Sequence, residues 1–469
     1  MQQLKRLGPI LLGPLLSLII FLGVDTLELA QKQFLSVFVI VVVYWLFTNI
    51  PLYITGFMGV GAAIMLNLAP AATIFANFGH PIIFLFLAGF LLALAFQKVG
   101  LDRRISLYLL SRNFIKGSLS RLLLTLMALT AFFTMWISNT ATTAMMLPLV
   151  LGVLHSLEIK SRKEVSLILI SIAFASSIGG ISTPIGSTPN IIALGLLQET
   201  IQLKISFLEW IVYAFPIALL FLGILILLTK FQLKKYPHSF DNQFLKDEYE
   251  KLSPLSLKEK YTLGIFLLTV FFWMLPSLLK LLAIKNTFNF NPGAVGVFFA
   301  SFLFITPINK DKILIASDIK NIDWSSLMLF GSGLAFGKLL FDLGLAQLAG
   351  DFIIYLIAGL PLLAIFIIIF GFVIFSTELT SNTATANIII PIMISLAGSL
   401  NISPFFFSMG VAMACSLAFM LPVATPPNAI VYGTEKVSKV DMAKLGFGLN
   451  LIFTLALALV VYSYQKILN

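Results

Sequence analysis

The chain has 469 residues, of which 59% are hydrophobic and only 11% are charged, and its mean hydropathy is +1.02. About a quarter of the residues in a soluble domain are charged, so this composition excludes a soluble globular fold. The net charge of +10 is better explained by basic residues on the cytoplasmic loops of a membrane protein than by a nucleic acid, which we do not expect as a partner.

Apolar runs of about 20 residues recur along the chain and predict about eleven membrane spans. The runs lie near residues 8–24, 35–52, 56–72, 82–98, 166–198, 208–229, 261–283, 293–308, 324–349, 404–433 and 442–463. Two further apolar stretches, 119–155 and 361–400, are too long for one span and carry Ser-Asn-Thr near their midpoints. Each could cross the membrane twice or form a re-entrant hairpin of two short helices, and the distribution of charge does not separate the two. We predict the hairpin, because a loop between two crossings would carry charge where these midpoints carry Ser-Asn-Thr. Non-helical backbone at membrane depth is tolerated where it is buried or lines a cavity.

The distribution of basic residues predicts the topology. With a cytoplasmic N-terminus, 24 of the 30 Lys and Arg residues fall on the cytoplasmic side, five fall outside, and Lys338 lies within a span. This asymmetry agrees with the positive-inside rule. We therefore predict a multi-pass protein of the cell inner membrane with its N-terminus in the cytoplasm. Residues 101–117 interleave apolar and basic positions, which is typical of a helix along the cytoplasmic interface or of a solvated loop.

Enzymatic chemistry has little support in the sequence. Cys415 is the only cysteine, and His80, His155 and His238 lie far apart, so we expect neither a disulfide within the chain nor a metal cluster. The polar segments contain no nucleophile, acid/base pair or metal set that would form a catalytic site. We therefore expect that the protein is not an enzyme.

The chain repeats one pattern in its two halves. Each half runs from a span through a Ser-Asn-Thr hairpin to a span broken at a Pro-Asn pair, and the matching segments are AGFLLALAFQKVGL (88–101) with SGLAFGKLLFDLGL (332–345), SNTATTAMMLP (138–148) with SNTATANIIIP (381–391), and GGISTPIGSTPNIIALG (179–195) with MLPVATPPNAIVYG (420–433). By the topology above, the two hairpins open from opposite sides of the membrane. We therefore predict an all-α polytopic membrane protein built from two inverted repeats, a plan known from secondary transporters.

Broken helices at mid-membrane provide binding groups. One new helix end leaves unpaired N–H groups that suit a carboxylate or sulfate, and the other leaves carbonyl groups that suit a small cation. Ser, Thr and Asn complete either kind of site. Because the Ser-Asn-Thr and Pro-Asn segments contain no Lys or Arg, an anion bound there needs another positive charge, which co-bound cations would supply. This favours a cation-coupled anion carrier, although small polar residues also simply allow close helix packing in lipid. A channel is the less favoured alternative, since two closed hairpins suit alternating access better than a continuous pore.

At these residues the chain resembles the divalent anion:sodium symporters, a family of dicarboxylate and citrate carriers. The resemblance rests on the paired Ser-Asn-Thr motifs, on ATPPNA at 424–429, and on TNIPL at 48–52, where Asn49 replaces the usual glutamate. It implies a homodimer in the lipid bilayer that imports C4-dicarboxylates such as succinate, malate and fumarate with sodium ions by an elevator mechanism. An anion exchanger, or a sodium-coupled carrier of citrate or sulfate, is the alternative. Thr142 and Thr385 stand where exchangers commonly have a basic residue, which favours sodium symport.

The resemblance also implies the parts of the protein and its site residues. The scaffold would comprise 1–117 and 261–357, the transport part 118–232 and 358–469, and the cytoplasmic linker 233–260. The first sodium site would use Thr134, Ser138, Asn139 and the backbone at Gly186, and the second would use Thr377, Thr380, Asn382 and the backbone at Ala424. The substrate would meet Asn139, Thr140 and Ser187 on one side and Asn382, Thr383, Thr425 and Pro426 on the other.

Two charged residues inside apolar segments allow two interpretations each. Lys338 is expensive within a span and is either functional or close enough to a helix end to reach the membrane surface. Glu378 lies four residues before Asn382 and is either a protonatable coupling group or a structural partner for the hairpin backbone.

Overall fold

A computed structural model describes residues 2–115, 118–156, 159, 161–233, 243–284 and 290–468. Some sequence-based predictions fall outside the described residues, namely the basic side chains of Lys116, Lys160, Lys234, Lys235 and Lys285, the end of the segment 101–117, and most of the first part of the linker, 234–242. Within the described part, the regular structure is α-helical apart from three short 3-10 segments. This confirms the all-α prediction.

The helices follow one another through both halves of the chain. Those before the linker are α1 (Gln2–Gly23), α2 (Leu29–Phe47), α3 (Leu52–Met65), α4 (Ala71–Ala76), α5 (Pro81–Lys98), α6 (Leu101–Leu110), α7 (Leu119–Thr134), α8 (Asn139–Ser156), α9 (Arg162–Gly180), α10 (Thr188–Ile201) and α11 (Phe207–Leu233). Those that follow are α12 (Gln243–Glu250), α13 (Leu257–Leu281), α14 (Pro292–Ile305), α15 (Trp324–Asp342), α16 (Leu345–Ile357), α17 (Leu362–Thr377), α18 (Asn382–Ser399), α19 (Pro404–Cys415), α20 (Pro426–Tyr432) and α21 (Lys439–Leu468).

Many helices are long and apolar enough to cross a bilayer. Among the described residues, eight helices have the length and composition of a membrane span, and the pair α16 and α17, which is bent by 117°, would be a ninth if it forms one span. Shorter apolar helices such as α3, α14 and α19 accompany them. Large apolar side chains also face outward, for example Leu227 at 67% exposure and Phe298 at 61%, as expected of a surface in contact with lipid. The multi-pass prediction is confirmed, and the count of eleven spans stays a prediction.

The two long apolar stretches are divided at the predicted points. Helix α7 ends at Thr134 and α8 begins at Asn139, while α17 ends at Thr377 and α18 begins at Asn382. In both halves, therefore, the Asn of Ser-Asn-Thr is the first residue of the second arm.

The spans with Pro-Asn pairs are broken as well. In the first half the helix stops at Gly180 and resumes at Thr188, and in the second half it stops at Cys415 and resumes at Pro426. A proline in the first turn of each resumed helix, Pro189 or Pro426, starts it without losing a backbone hydrogen bond.

A left-handed glycine interrupts the chain at equivalent places in the two halves. Gly100 precedes α6 with φ +78°, and Gly344 precedes α16 with φ +71°. Glycine adopts this backbone conformation without steric cost. The predicted span 324–349 was therefore too long, because the turn at Gly344 ends α15 at Asp342. In the segment 101–117, the first ten residues form the predicted helix, and its position at the membrane interface stays a prediction.

The described part of the linker packs against the first half. Arg103 in α6 forms an ion pair with Glu248 in α12 at 3.1 Å, and Tyr108 packs against Tyr249 with ring centroids 5.7 Å apart. Leu245 is fully buried on the inner side of α12.

Candidate functional site

One cavity of about 1040 Å³ brings the breaks of both repeats together. Eleven of the thirteen predicted site residues line its wall. They are Ser138, Asn139, Thr140, Gly186, Ser187, Thr380, Asn382, Thr383, Ala424, Thr425 and Pro426. The two exceptions, Thr134 and Thr377, are fully buried and do not line the cavity. Residues that are about 240 positions apart in sequence therefore share one chamber.

Neutral oxygen atoms cluster behind the first repeat's wall. A Cβ placed on Gly180 would lie 2.5 Å from the Asn139 amide oxygen and 2.9 Å from the Gly186 carbonyl oxygen. The Asn139 oxygen is buried and has no hydrogen-bond partner among the described residues. Thr134 donates its hydroxyl hydrogen to the Ala131 carbonyl at 3.0 Å, which leaves its oxygen lone pairs free. Such a set of oxygen ligands suits a hard cation.

In the second repeat, the equivalent Thr377 and Asn382 are hydrogen-bonded to each other. The Thr377 hydroxyl lies 2.7 Å from the Asn382 amide oxygen and 2.9 Å from the Cys415 carbonyl. A cation that used both side-chain oxygens would require Thr377 to donate its single hydrogen to Cys415 instead of Asn382. That acceptor is already in place.

Three further predicted site residues have local hydrogen-bond partners. Thr380 donates to the Ser376 carbonyl at 3.1 Å, and the Ser138 hydroxyl accepts a hydrogen bond from the Ala141 amide at 3.3 Å. The Thr425 hydroxyl caps α20 by accepting from the Asn428 amide at 3.3 Å. These bonds fix the side chains at the starts of the helices that face the cavity.

The cavity wall combines helix N-termini with two acidic residues, Asp323 and Glu378, and with no basic side chain among the described residues. Helices α8, α10 and α18 begin at its wall, at Asn139, Thr188 and Asn382. Helix N-termini carry partial positive charge and unpaired N–H groups.

Two equivalent asparagines hold the breaks in shape. The Asn190 amide donates to the carbonyls of Gly180 at 3.0 Å and Thr183 at 2.8 Å. The Asn428 amide makes the matching pair of bonds to Ala418 at 3.2 Å and Leu421 at 3.0 Å. Each Asn therefore joins two carbonyl groups at the break of its span. The repeated Pro-Asn was the sequence signal for this role, which we did not predict.

Glu378 is a partner for backbone amides in the second repeat. Its buried carboxylate accepts hydrogen bonds from the N–H groups of Phe419, Met420 and Leu421 at 2.6, 2.8 and 3.1 Å. The Asn450 side chain donates a fourth at 2.8 Å. This geometry favours the structural interpretation of Glu378.

Lys338 has a carboxylate partner inside the fold. Its ammonium lies 3.0 Å from one Glu199 oxygen, and the His80 imidazole lies 3.9 Å from the other. Both Lys338 and Glu199 are about a quarter exposed, at 27% and 25%. The pair lies outside the cavity wall and joins α15 to α10.

The cavity extends toward one end of the helices around it. Its far wall contains Asn49 after α2, Gln97 near the end of α5, and Asn321 and Ser326 at the start of α15. All these ends lie on the predicted cytoplasmic side. Nearby, a 2.6 Å hydrogen bond from Lys98 lowers the pKa of Asp318.

Ser416 is a further residue that the sequence did not indicate. Its hydroxyl lies 2.8 Å from that of the cavity-lining Ser187, and both are buried. A lone serine in an apolar run carries no distinguishing signal, so only the fold reveals this contact.

Comparisons with known proteins agree along the whole chain. The profile of the family described as "Sodium:sulfate symporter transmembrane region" matches residues 9–469. A relative from Staphylococcus saprophyticus, named sodium-dependent dicarboxylate transporter SdcS, is 36% identical over 97% of this chain and 91% of its own length. The protein of the same name from Staphylococcus aureus strain USA300 is 33% identical over 98% of this chain and 91% of its own length.

A solved structure shares the fold. The Alcanivorax borkumensis YdaH transporter is 13% identical, with a TM-score of 0.57 over 99% of this chain and 98% of that chain. At this identity the likeness concerns the fold alone.

Proposed function

The chain belongs to the sodium:sulfate symporter family, and from this premise we propose that it is a secondary transporter that imports C4-dicarboxylates together with sodium ions. The observation that carries the proposal is the cavity, where the polar breaks of two repeats meet and no described Lys or Arg lines the wall. The names of the relatives from two Staphylococcus species support a dicarboxylate as the substrate.

Two sodium ions would bind, one behind each repeat's wall. The first would be held by Thr134, Ser138, Asn139 and the Gly186 carbonyl, and the second by Thr377, Thr380, Asn382 and the Ala424 carbonyl. The unpartnered Asn139 oxygen beside the Gly186 carbonyl supports the first site. At the second site, the rotation of the Thr377 hydroxyl toward Cys415 would accompany binding.

The substrate would bind between the two ions. One carboxylate would meet Asn139, Thr140 and Ser187, and the other would meet Asn382, Thr383, Thr425 and Pro426, all of which line the cavity. A dianion in a chamber without basic side chains gains its stabilisation from the helix N-termini and from the co-bound cations. Sodium binding would therefore prepare the site for the anion.

Alternating access would follow an elevator-type movement. We propose that 118–232 and 358–469 move as the transport part against a scaffold of 1–117 and 261–357, with 233–260 as the linker. The cavity wall includes residues at the predicted cytoplasmic ends of α2, α5 and α15, which supports an inward-open arrangement. We also propose that the protein forms a homodimer in the lipid of the cell inner membrane and that its N-terminus is cytoplasmic.

Uptake into proteoliposomes tests the function. The purified protein would be reconstituted with an inward sodium gradient and offered radiolabelled succinate, malate, fumarate, citrate and sulfate in turn. We expect saturable uptake of the C4-dicarboxylates that is lost when choline replaces sodium. Uptake that persists without sodium and requires a counter-anion inside would identify an exchanger. A preference for citrate or sulfate would show that C4-dicarboxylates are not the main substrates.

A further inference from the structure

Asn387 in α18 is a buried amide without a hydrogen-bond partner. It is 1% exposed, and neither its amide oxygen nor its amide nitrogen has a partner in the described part of the chain. It lies against α15, where a methyl group added to Gly333 would collide with the Asn387 amide. Because buried polar groups are almost always paired, an unpaired one at a helix contact calls for a functional explanation.

The equivalent residue in the first repeat has the opposite environment. Asn387 lies five positions after Asn382, and Ala144 lies five positions after Asn139. Ala144 is exposed and lines the cavity. The same helical position is thus open in one repeat and closed in the other.

A second equivalent pair shows the reverse asymmetry. Ile185 and Val423 each lie five positions before the Asn of the Pro-Asn pair. Ile185 is 5% exposed and contacts α5, with side-chain atoms 3.5 Å from where a Cβ on Gly89 would lie. Both residues line the cavity, but Val423 is 86% exposed.

The two contacts are made on equivalent glycines of the two repeats, Gly89 in α5 and Gly333 in α15. Gly89 precedes the left-handed Gly100 by eleven residues, and Gly333 precedes Gly344 by eleven. The first glycine is covered by Ile185 from a broken span, while the second is covered by Asn387 from a hairpin. The two halves of the molecule therefore occupy two different arrangements of one contact.

We infer that these contacts exchange between the two end states of transport, so that Asn387 is a residue of the substrate path on the opposite face. In the opposite state, Val423 packs on Gly333 as Ile185 now packs on Gly89, and Asn387 lines the cavity as Ala144 does now. The Asn387 amide gains polar partners there and can donate a hydrogen bond to an entering carboxylate. This inference rests on the proposed alternating-access function.

Sided labelling tests the exchange. In a Cys415→Ala background, Ala144→Cys, Val423→Cys and Asn387→Cys are each exposed to a charged, membrane-impermeant thiosulfonate added to one face of sealed vesicles. We expect the Ala144→Cys and Val423→Cys thiols to react from the same face. The Asn387→Cys thiol should react at least tenfold faster from the other face.

The outcome separates this inference from the proposed function. If the Asn387→Cys thiol reacts from the same face as the Ala144→Cys thiol, or from neither face, while sodium-coupled uptake is intact, the exchange is overturned and the function stands. If the expected sidedness appears but uptake ignores sodium, the function fails and the exchange stands.

A glycine pair gives a second measurement that does not alter Asn387. Gly333→Ala collides with Asn387 in the present arrangement but would meet Val423 at ordinary contact distance in the other, as a methyl on Gly89 meets Ile185 at 3.5 Å now. Gly333→Ala should therefore slow the labelling of Val423→Cys at least tenfold, and the matched control Gly89→Ala should leave it unchanged. Equal labelling in the two variants would overturn the exchange.

Discussion

The hydroxyl of Ser187 lies 2.8 Å from the hydroxyl of Ser416 and joins the broken span of the first repeat to that of the second. Only Ser187 lines the cavity. Each hydroxyl has one hydrogen to donate. The other acceptor near Ser416, the Ala412 carbonyl, is 3.4 Å away, which is long for such a bond. When Ser416 donates to Ser187, the Ser187 hydrogen remains available for an anion in the cavity, so Ser416 is a positioning residue.

Ser416→Ala should raise the KM for the dicarboxylate about fivefold with little change in kcat, since a neutral hydrogen bond contributes about 1 kcal/mol. Initial uptake rates against substrate concentration measure both constants. In a Ser187→Ala background the same change should have no further effect, because its target is gone. Ser408→Ala is a matched control, since Ser408 is a buried serine of α19 whose hydroxyl has no partner among the described residues. Additive effects of Ser187→Ala and Ser416→Ala would contradict the positioning role.

Asn139→Ala and Asn382→Ala should each abolish sodium-coupled uptake. Each amide has an oxygen for a cation and a nitrogen for the substrate, and both residues open a helix at the cavity wall. We expect a loss of at least a hundredfold in uptake, while size-exclusion profiles and thermal unfolding stay close to those of the unaltered protein. Near-normal uptake by either variant would show that its repeat contributes no cation site.

Substrate affinity should depend on sodium. Because the cavity wall has no basic side chain among the described residues, the anion needs the co-bound cations, and each favourable charge interaction of about 1.4 kcal/mol changes affinity roughly tenfold. Calorimetric titration with succinate at fixed ionic strength, with choline replacing sodium, should therefore show affinity at least tenfold weaker in choline. Equal affinity in the two salts would indicate that helix N-termini suffice and would favour an exchanger.

The sequence predicted those parts of the fold that depend on local composition. Apolar runs located the helices, and the repeated Ser-Asn-Thr and Pro-Asn segments located the four breaks, because clusters of small polar residues with glycine or proline favour non-helical backbone. A single proline was not enough, since Pro148 and Pro391 both lie inside helices. The end of α15 was missed, since the effect of Gly344 depends on a left-handed backbone conformation rather than on hydropathy.

Contacts between distant segments could not be predicted in the same way. Ser416 reaches Ser187 across 229 positions, and Lys338 reaches Glu199 across a helix contact that no periodicity encodes. The different environments of Ala144 and Asn387 are likewise invisible in the sequence, because the two repeats share one pattern and the sequence does not show that they adopt different arrangements.

The ion pair of Lys338 and Glu199 should stabilise the captured arrangement. It joins α15, in the proposed scaffold, to α10, in the proposed transport part, at an N–O distance of 3.0 Å. A movement of one part past the other has to separate these charges. At about a quarter exposure, the pair should contribute about 1 kcal/mol or less, since partial solvation screens it.

Lys338→Glu, which places two carboxylates together, should therefore shift the population away from this arrangement. The labelling rate of a Val423→Cys thiol from the cavity face measures that population, and we expect it to fall several-fold. The exchanged pair Lys338→Glu with Glu199→Lys restores opposite charges and should return the rate to within about twofold of the starting value, by the logic of a double-mutant cycle. If the Val423→Cys thiol is labelled no faster with the exchanged pair than with Lys338→Glu alone, Lys338 acts without Glu199, as a side chain that reaches toward the membrane surface.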